Sequence, residues 1–207
     1  MIIKHKILAV PAVAAALALG TAACSSSGTS AASSPKPKPS ASASMPATTA
    51  SAPFGPGCAS VPKSGAGSFS GMSAAPVATA ASANPVLSTL VTAVKKAGLV
   101  NTLNSASSLT VFAPDNAAFA AVPKAAMDKV LANKAELTKI LTYHVASGRR
   151  TPSQLAAGMQ IKTLEGGSVT PARMGSSYTV NGARVVCGDV HTSNATVYII
   201  NKVLMPK

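Results

Sequence analysis

The sequence predicts an α+β domain, on three observations. Apolar residues recur at helical spacing, with good capping residues, between about residue 84 and residue 158. From Gln160 onward the spacing changes to period two, punctuated by Gly166-Gly167 and Asn181-Gly182. Helical patterns come mostly first and strand patterns last, without the regular alternation of an α/β sheet.

The elements follow in order. Asn84 suits a helix N-cap and Pro85 the first helical position. Leu87, Leu90, Val91 and Val94 then share a face, and Gly98 can stop the helix after Lys95-Lys96. Leu109-Thr110-Val111-Phe112 has strand composition, and Pro114 ends it. Asp115 or Asn116 can cap a new helix whose apolar face is Phe119 and Val122. Pro123 opens a helix with Met127, Val130 and Leu131 turned inward. A further helix from about Ala135 aligns Leu137, Ile140, Leu141 and His144. Thr151-Pro152-Ser153-Gln154 spells a capping box, with Gly158 after the helix. "ARVVCGDV" and "ATVYIINKVLM" read as strands, the second apolar enough to lie centrally in a sheet.

The ends and the totals place this domain. Residues 1–23 have a basic start, an apolar run of about 13 residues and then small residues, the order of a secretory signal and short of the roughly 20 that a spanning helix needs. Thr21-Ala22-Ala23-Cys24 resembles a lipoprotein signal, which makes Cys24 a lipidated N-terminus. Residues 24–53, rich in Ser, Ala and Pro, hold nothing that could form a core and would act as a tether reaching on the order of 30 Å. The folded domain is expected over 54–207. The three cysteines fit this plan: with lipid on Cys24, Cys58 and Cys187 remain as a pair in an oxidising compartment.

Net charge is +13, but the basic residues are scattered and lack the interleaved aromatics that stack bases, so nucleic acid is not the expected partner. Catalysis needs converging titratable groups, and five acidic residues and three histidines offer few. No nucleophile elbow, phosphate-binding loop or zinc-helix motif is present. Cys187, Asp189 and His191 would share a face of a regular strand, but Cys187 is assigned to a disulfide and the remaining pair makes a poor metal site. The sequence therefore predicts no enzyme, metal or cofactor. Candidate contacts are Tyr143 and His144, and the exposed Arg149-Arg150, whose guanidinium forks suit anionic groups.

"LTVFAPDNAAFAAVP", "ILTYHVASG" and "VNGARVVCGDVHTSNATVYIINKVLMP" resemble, in order and spacing, the three signature segments of the fasciclin domain. "FGPGCA" and the cysteine of "VVCGDV" further resemble the secreted and lipidated single-fasciclin antigens of mycobacteria, which pair the corresponding cysteines. The resemblance implies a β-sheet wedge with several short helices packed around it. It implies adhesion to extracellular matrix, a cell-surface protein or polysaccharide, by a monomer held to the membrane through its N-terminal lipid. The alternative is a lipoprotein holding a small apolar or lipid ligand between helices and sheet. Pro114, Asp115, Asn116, Asp189 and Asn194 fall in the family's motifs and carry a structural expectation. In animal members of the family the segment corresponding to Tyr143-His144 is tied to adhesion, but His144 lies on the apolar helix face, which favours a core histidine over a contact residue. This chain departs from the pattern at Asp115, where Thr or Ser is common, and at Ala195, Tyr198 and Asn201, where Gly, His and Asp are frequent.

Overall fold

The computed structural model describes residues 52–206. The signal segment, Cys24 and nearly all of the tether therefore lie outside the described residues. Five of the helices precede most of the sheet: α1 (Phe69–Ser73), α2 (Val77–Ser82), α3 (Ser88–Ala97), α4 (Val100–Ser105) and, after strand β1 (Leu109–Pro114), α5 (Asn116–Ala120). Next come α6 (Lys124–Ala132), α7 (Lys134–Tyr143), β2 (Val145–Ser147) and α8 (Pro152–Ala156). The strands β3 (Ile161–Lys162), β4 (Ser168–Val169), β5 (Pro171–Met174), β6 (Ser177–Val180), β7 (Ala183–His191) and β8 (Ala195–Ile200) close the chain. The mixed α+β class stands.

A six-stranded sheet runs β2-β1-β8-β7-β6-β5, with β3 and β4 as a separate hairpin. The expected central strand is β8, buried at every position and flanked by β1 and β7. Its neighbour β1 lies parallel to it, from Leu109 opposite Ala195 to Pro114 opposite Ile200. The other pairings are antiparallel. Asn181-Gly182 makes the β6–β7 turn with both residues at positive φ, the geometry that Asn-Gly accommodates at little cost.

Alternation along the two central strands divides the core. Val111, Val197 and Ile199 face Leu87, Leu90, Val94, Leu137 and Leu141 of the helices. Phe112, Tyr198 and Ile200 face the opposite cluster with Leu155, Val180 and Val185. Each side chain so enclosed stabilises the fold by about 1.5–3 kcal/mol relative to exposure.

Two sequence expectations change at this level. Asn84 caps a single 3-10 turn, Pro85–Leu87, and α3 begins only at Ser88. In α6 the apolar positions Met127, Val130 and Leu131 are half-buried and no residue is fully enclosed. The helix follows its periodicity, but among the described residues none covers its outer edge.

Candidate functional site

The Pro-Asp-Asn turn after β1 is committed to helix-capping hydrogen bonds. The amide of Ala118 donates to Asp115 Oδ1 at 2.6 Å, so Asp115 is the N-cap of α5. Asn116 works on another element. Its Oδ1 accepts from the Thr89 amide at 3.0 Å and from the Ser88 hydroxyl at 3.2 Å, while its Nδ2 donates to Pro85 O at 2.9 Å. One amide side chain thus satisfies donors at the start of α3 from outside the helix. Pro114 ends β1 opposite Ile200 and is fully buried.

Asn194, in the turn between β7 and β8, has a similar role at larger scale. Its Oδ1 accepts from the Val77 amide at 2.9 Å, at the N-terminus of α2. Its Nδ2 donates to Leu103 O and Ala106 O, both at 2.8 Å, at the C-terminal end of α4. A single buried side chain therefore closes the ends of two helices.

Tyr143 and His144 are not surface contacts; both are buried. Tyr143 donates to Ser168 O at 3.0 Å and accepts from Asn181 Nδ2 at 2.9 Å. His144 Nε2 accepts from the Leu204 amide at 2.9 Å, which leaves Nδ1 protonated and donating to Ile140 O at 2.8 Å. Burial drives its pKa down to about 4, against the smaller opposing effect of the Ile140 bond. The ring is neutral and both nitrogens are used.

The arginine pair is less free than its loop position suggested. Arg149 is exposed, but its Nη2 donates to Thr192 O at 3.0 Å and to Ser193 O at 2.5 Å. It braces the β7–β8 turn. Arg150 is half-buried and its Nε is enclosed without a hydrogen-bond partner among the described residues. Its backbone is fixed from both sides, since its amide donates to Thr110 Oγ1 at 2.8 Å and its carbonyl accepts from Tyr198 Oη at 2.7 Å.

Cys58 and Cys187 form a disulfide with Cα atoms 4.8 Å apart. It fastens the strap before α1 to β7. Phe54 and Gly188 reinforce the join by exchanging two backbone hydrogen bonds of 3.1 and 2.8 Å, and the Phe54 ring lies over Gly188 where a Cβ would collide with it.

Cys187 does not share the expected face with Asp189 and His191. Register shifts on both sides of Cys187 break the alternation, and Asp189 takes a φ of 59°. Cys187 packs with Val190 in the helix-side core. Asp189 Oδ1 lies 3.3 Å from His191 Nε2, without the alignment of a hydrogen bond. Burial raises the Asp189 pKa, and His191 opposes that rise. Burial also raises the Tyr198 phenol, with Asp189 and Tyr178 adding to it. Among the described residues, no group of three or more His, Cys, Asp or Glu could hold a metal ion.

The fasciclin domain model matches residues 85–206. This chain belongs to the fasciclin domain family. It is 47% identical over 169 residues to immunogenic protein MPB70 of Mycobacterium bovis, covering 78% of this chain and 86% of that protein. It is 44% identical over 177 residues to cell surface glycolipoprotein MPT83 of Mycobacterium tuberculosis, covering 79% of each. A cyanobacterial relative, protein sll1483 of Synechocystis, is 40% identical over 136 residues, covering 65% of this chain and 75% of that protein. In fold, the domain superposes on a FAS1 domain pair from the insect cell adhesion molecule fasciclin I. The TM-score is 0.54 at 18% identity, over 66% of this chain and 52% of that one.

The interior of this fasciclin domain is filled. The apolar cavity between α2, α3, α4, α7 and β1 measures about 50 Å³. A cavity that holds benzene is about 150 Å³. The sequence located α6 but not its incomplete covering, because half-burial and full burial share one periodicity.

Proposed function

We propose that this fasciclin domain is an adhesion module on the extracytoplasmic face of the cell membrane, held by lipid on Cys24 and acting without catalysis. The observation that carries the adhesion reading is the filled interior. A cavity of about 50 Å³ between helices and sheet is too small for the ligand that the alternative reading requires, so recognition falls to the surface. The surface carries most of an excess of 18 basic over five acidic residues, which suits anionic polymers of a matrix or envelope. The family and the surface-antigen relatives support the same placement.

The test has two arms. Cys24→Ala should move the protein from the membrane fraction to the medium; retention with unchanged detergent partitioning rejects the anchor. The full chain should bind immobilised sulfated or carboxylated polymers with an affinity that falls as salt rises. Salt-independent binding, or none to either polymer, rejects the electrostatic adhesion reading.

A further inference from the structure

Beneath α6 a surface cleft of about 240 Å³ separates it from α3 and α5, with Thr92, Ala93, Phe119, Met127 and Leu131 among its walls. An apolar void of about 20 Å³ continues from the same Phe119, Met127 and Leu131 toward Met205 near the C-terminal end. Met205 is 48% exposed, although it lies beside this apolar surface.

Three features of the cleft define what fits it. Its polar rim is already committed: the Thr89 amide donates to Asn116 Oδ1, and the Thr92 hydroxyl donates to Ser88 O. The remaining backbone of the walls is helical and internally bonded. An extended peptide would find no main-chain partners there, whereas a hydrocarbon chain needs none. The cleft is smaller than the roughly 300–1,000 Å³ of ordinary small-molecule pockets, which suits a single alkyl chain better than a two-tailed lipid. Finally, the α3 wall continues by one turn into Lys95 and Lys96. Lys134, the first residue of α7, brings its Nζ beside Gly98 at the same end. All three lysines are exposed, and none pairs with a carboxylate among the described residues.

We propose that the α3–α6 cleft binds a fatty carboxylate with a single alkyl tail. The tail lies between Phe119, Met127 and Leu131, and the carboxylate meets Lys95, Lys96 and Lys134. Because α6 has no fully buried residue, it can shift outward to admit the tail at the expense only of the half-buried contacts that Val130 and Leu131 make with the helix-side core. This assignment concerns the surface cleft and leaves untouched the filled interior on which the adhesion reading rests.

The test uses the full chain carrying Cys24→Ala, so that its own acyl groups are absent, and laurate below its micellar concentration. Calorimetry should show saturable one-to-one binding. Dodecyltrimethylammonium, with the same tail and the opposite charge, should bind more weakly by about tenfold or more. Leu131→Glu should abolish laurate binding, and Lys95→Ser/Lys96→Ser/Lys134→Ser should remove the preference for the anionic head. Methyl-labelled methionine spectra supply a readout that needs no variant: laurate should shift the Met127 resonance. Absence of saturable binding, equal affinity for the cationic amphiphile, or an unmoved Met127 signal overturns the proposal. Binding to anionic vesicles without binding to monomeric laurate also overturns it and makes this face a membrane-contact surface.

Discussion

Leu204 donates its backbone amide to the ring of His144, 60 residues earlier in the chain, at 2.9 Å. The bond ties the segment after the last strand to the end of α7, and it requires a neutral imidazole. Burial holds the folded-state pKa near 4, below the ordinary 6.5. Above pH 6.5 neither folded nor unfolded His144 binds a proton. As pH falls below 6.5 the unfolded chain takes up a proton that the folded chain refuses, so stability falls until about pH 4. The full effect is about 3 kcal/mol at roughly 1.4 kcal/mol per pKa unit. Asp189 works the other way, because its raised folded pKa makes protonation favour the folded state. Urea midpoints from pH 7 to pH 4, measured on Asp189→Asn to isolate His144, should decline through this window. A flat profile would show that burial does not hold the folded-state pKa of His144 below its ordinary value.

Asn194→Ala should destabilise the domain severely. It strands the Val77 amide and leaves the carbonyls of Leu103 and Ala106 without their donor. Each buried unsatisfied group costs about 1–3 kcal/mol. Asn194→Asp retains the acceptor for Val77 but sets a carboxylate against those carbonyls, so it should not rescue. Chemical denaturation of both variants decides it, and a loss under about 1 kcal/mol for Asn194→Ala would mean that water replaces the side chain.

Reducing the Cys58–Cys187 bond should lower the melting temperature and expose the strap around Phe54 to proteases first. The bond spans a sequence separation of 129, for which the chain-entropy relation gives roughly 4–5 kcal/mol. Limited proteolysis with and without reductant, read by mass spectrometry, checks the order of cleavage. Gly188→Ala should loosen the same strap through the Phe54 ring with the disulfide intact.

Asn116→Ala should weaken the start of α3 by about 1 kcal/mol, the usual worth of a helix cap, although Asn116 belongs to another helix. Asp115→Ala should cost α5 a similar amount. Amide exchange separates the two cases: faster exchange at Thr89 should follow Asn116→Ala alone, and at Ala118 Asp115→Ala alone.

Arg149→Ser should lower stability measurably, against the sequence-level expectation that both arginines are free for a partner. Its guanidinium braces the carbonyls of Thr192 and Ser193. Urea denaturation of the single variants should show a larger loss for Arg149→Ser than for a lysine on the exposed face of α6 such as Lys129→Ser.

The sequence by itself determined whatever is local. Caps at Asn84, Asp115 and Thr151, the stop at Gly98 and the turn at Asn181-Gly182 all formed, because each depends on backbone geometry within about four residues. The spacing of Leu137, Ile140, Leu141 and His144 was enough to bury all four. The run of apolar residues in β8 was enough to mark the centre of the sheet. Tertiary structure decided what depends on distant partners. The parallel pairing of β1 with β8 joins segments that no local pattern connects. The bulge at Asp189 ended the alternation that would have aligned it with Cys187. Asn194 gained its role only when α2 and α4 brought their ends to one turn. The cleft beside α6 exists because periodicity names the face a helix turns inward but not how far its neighbours cover that face.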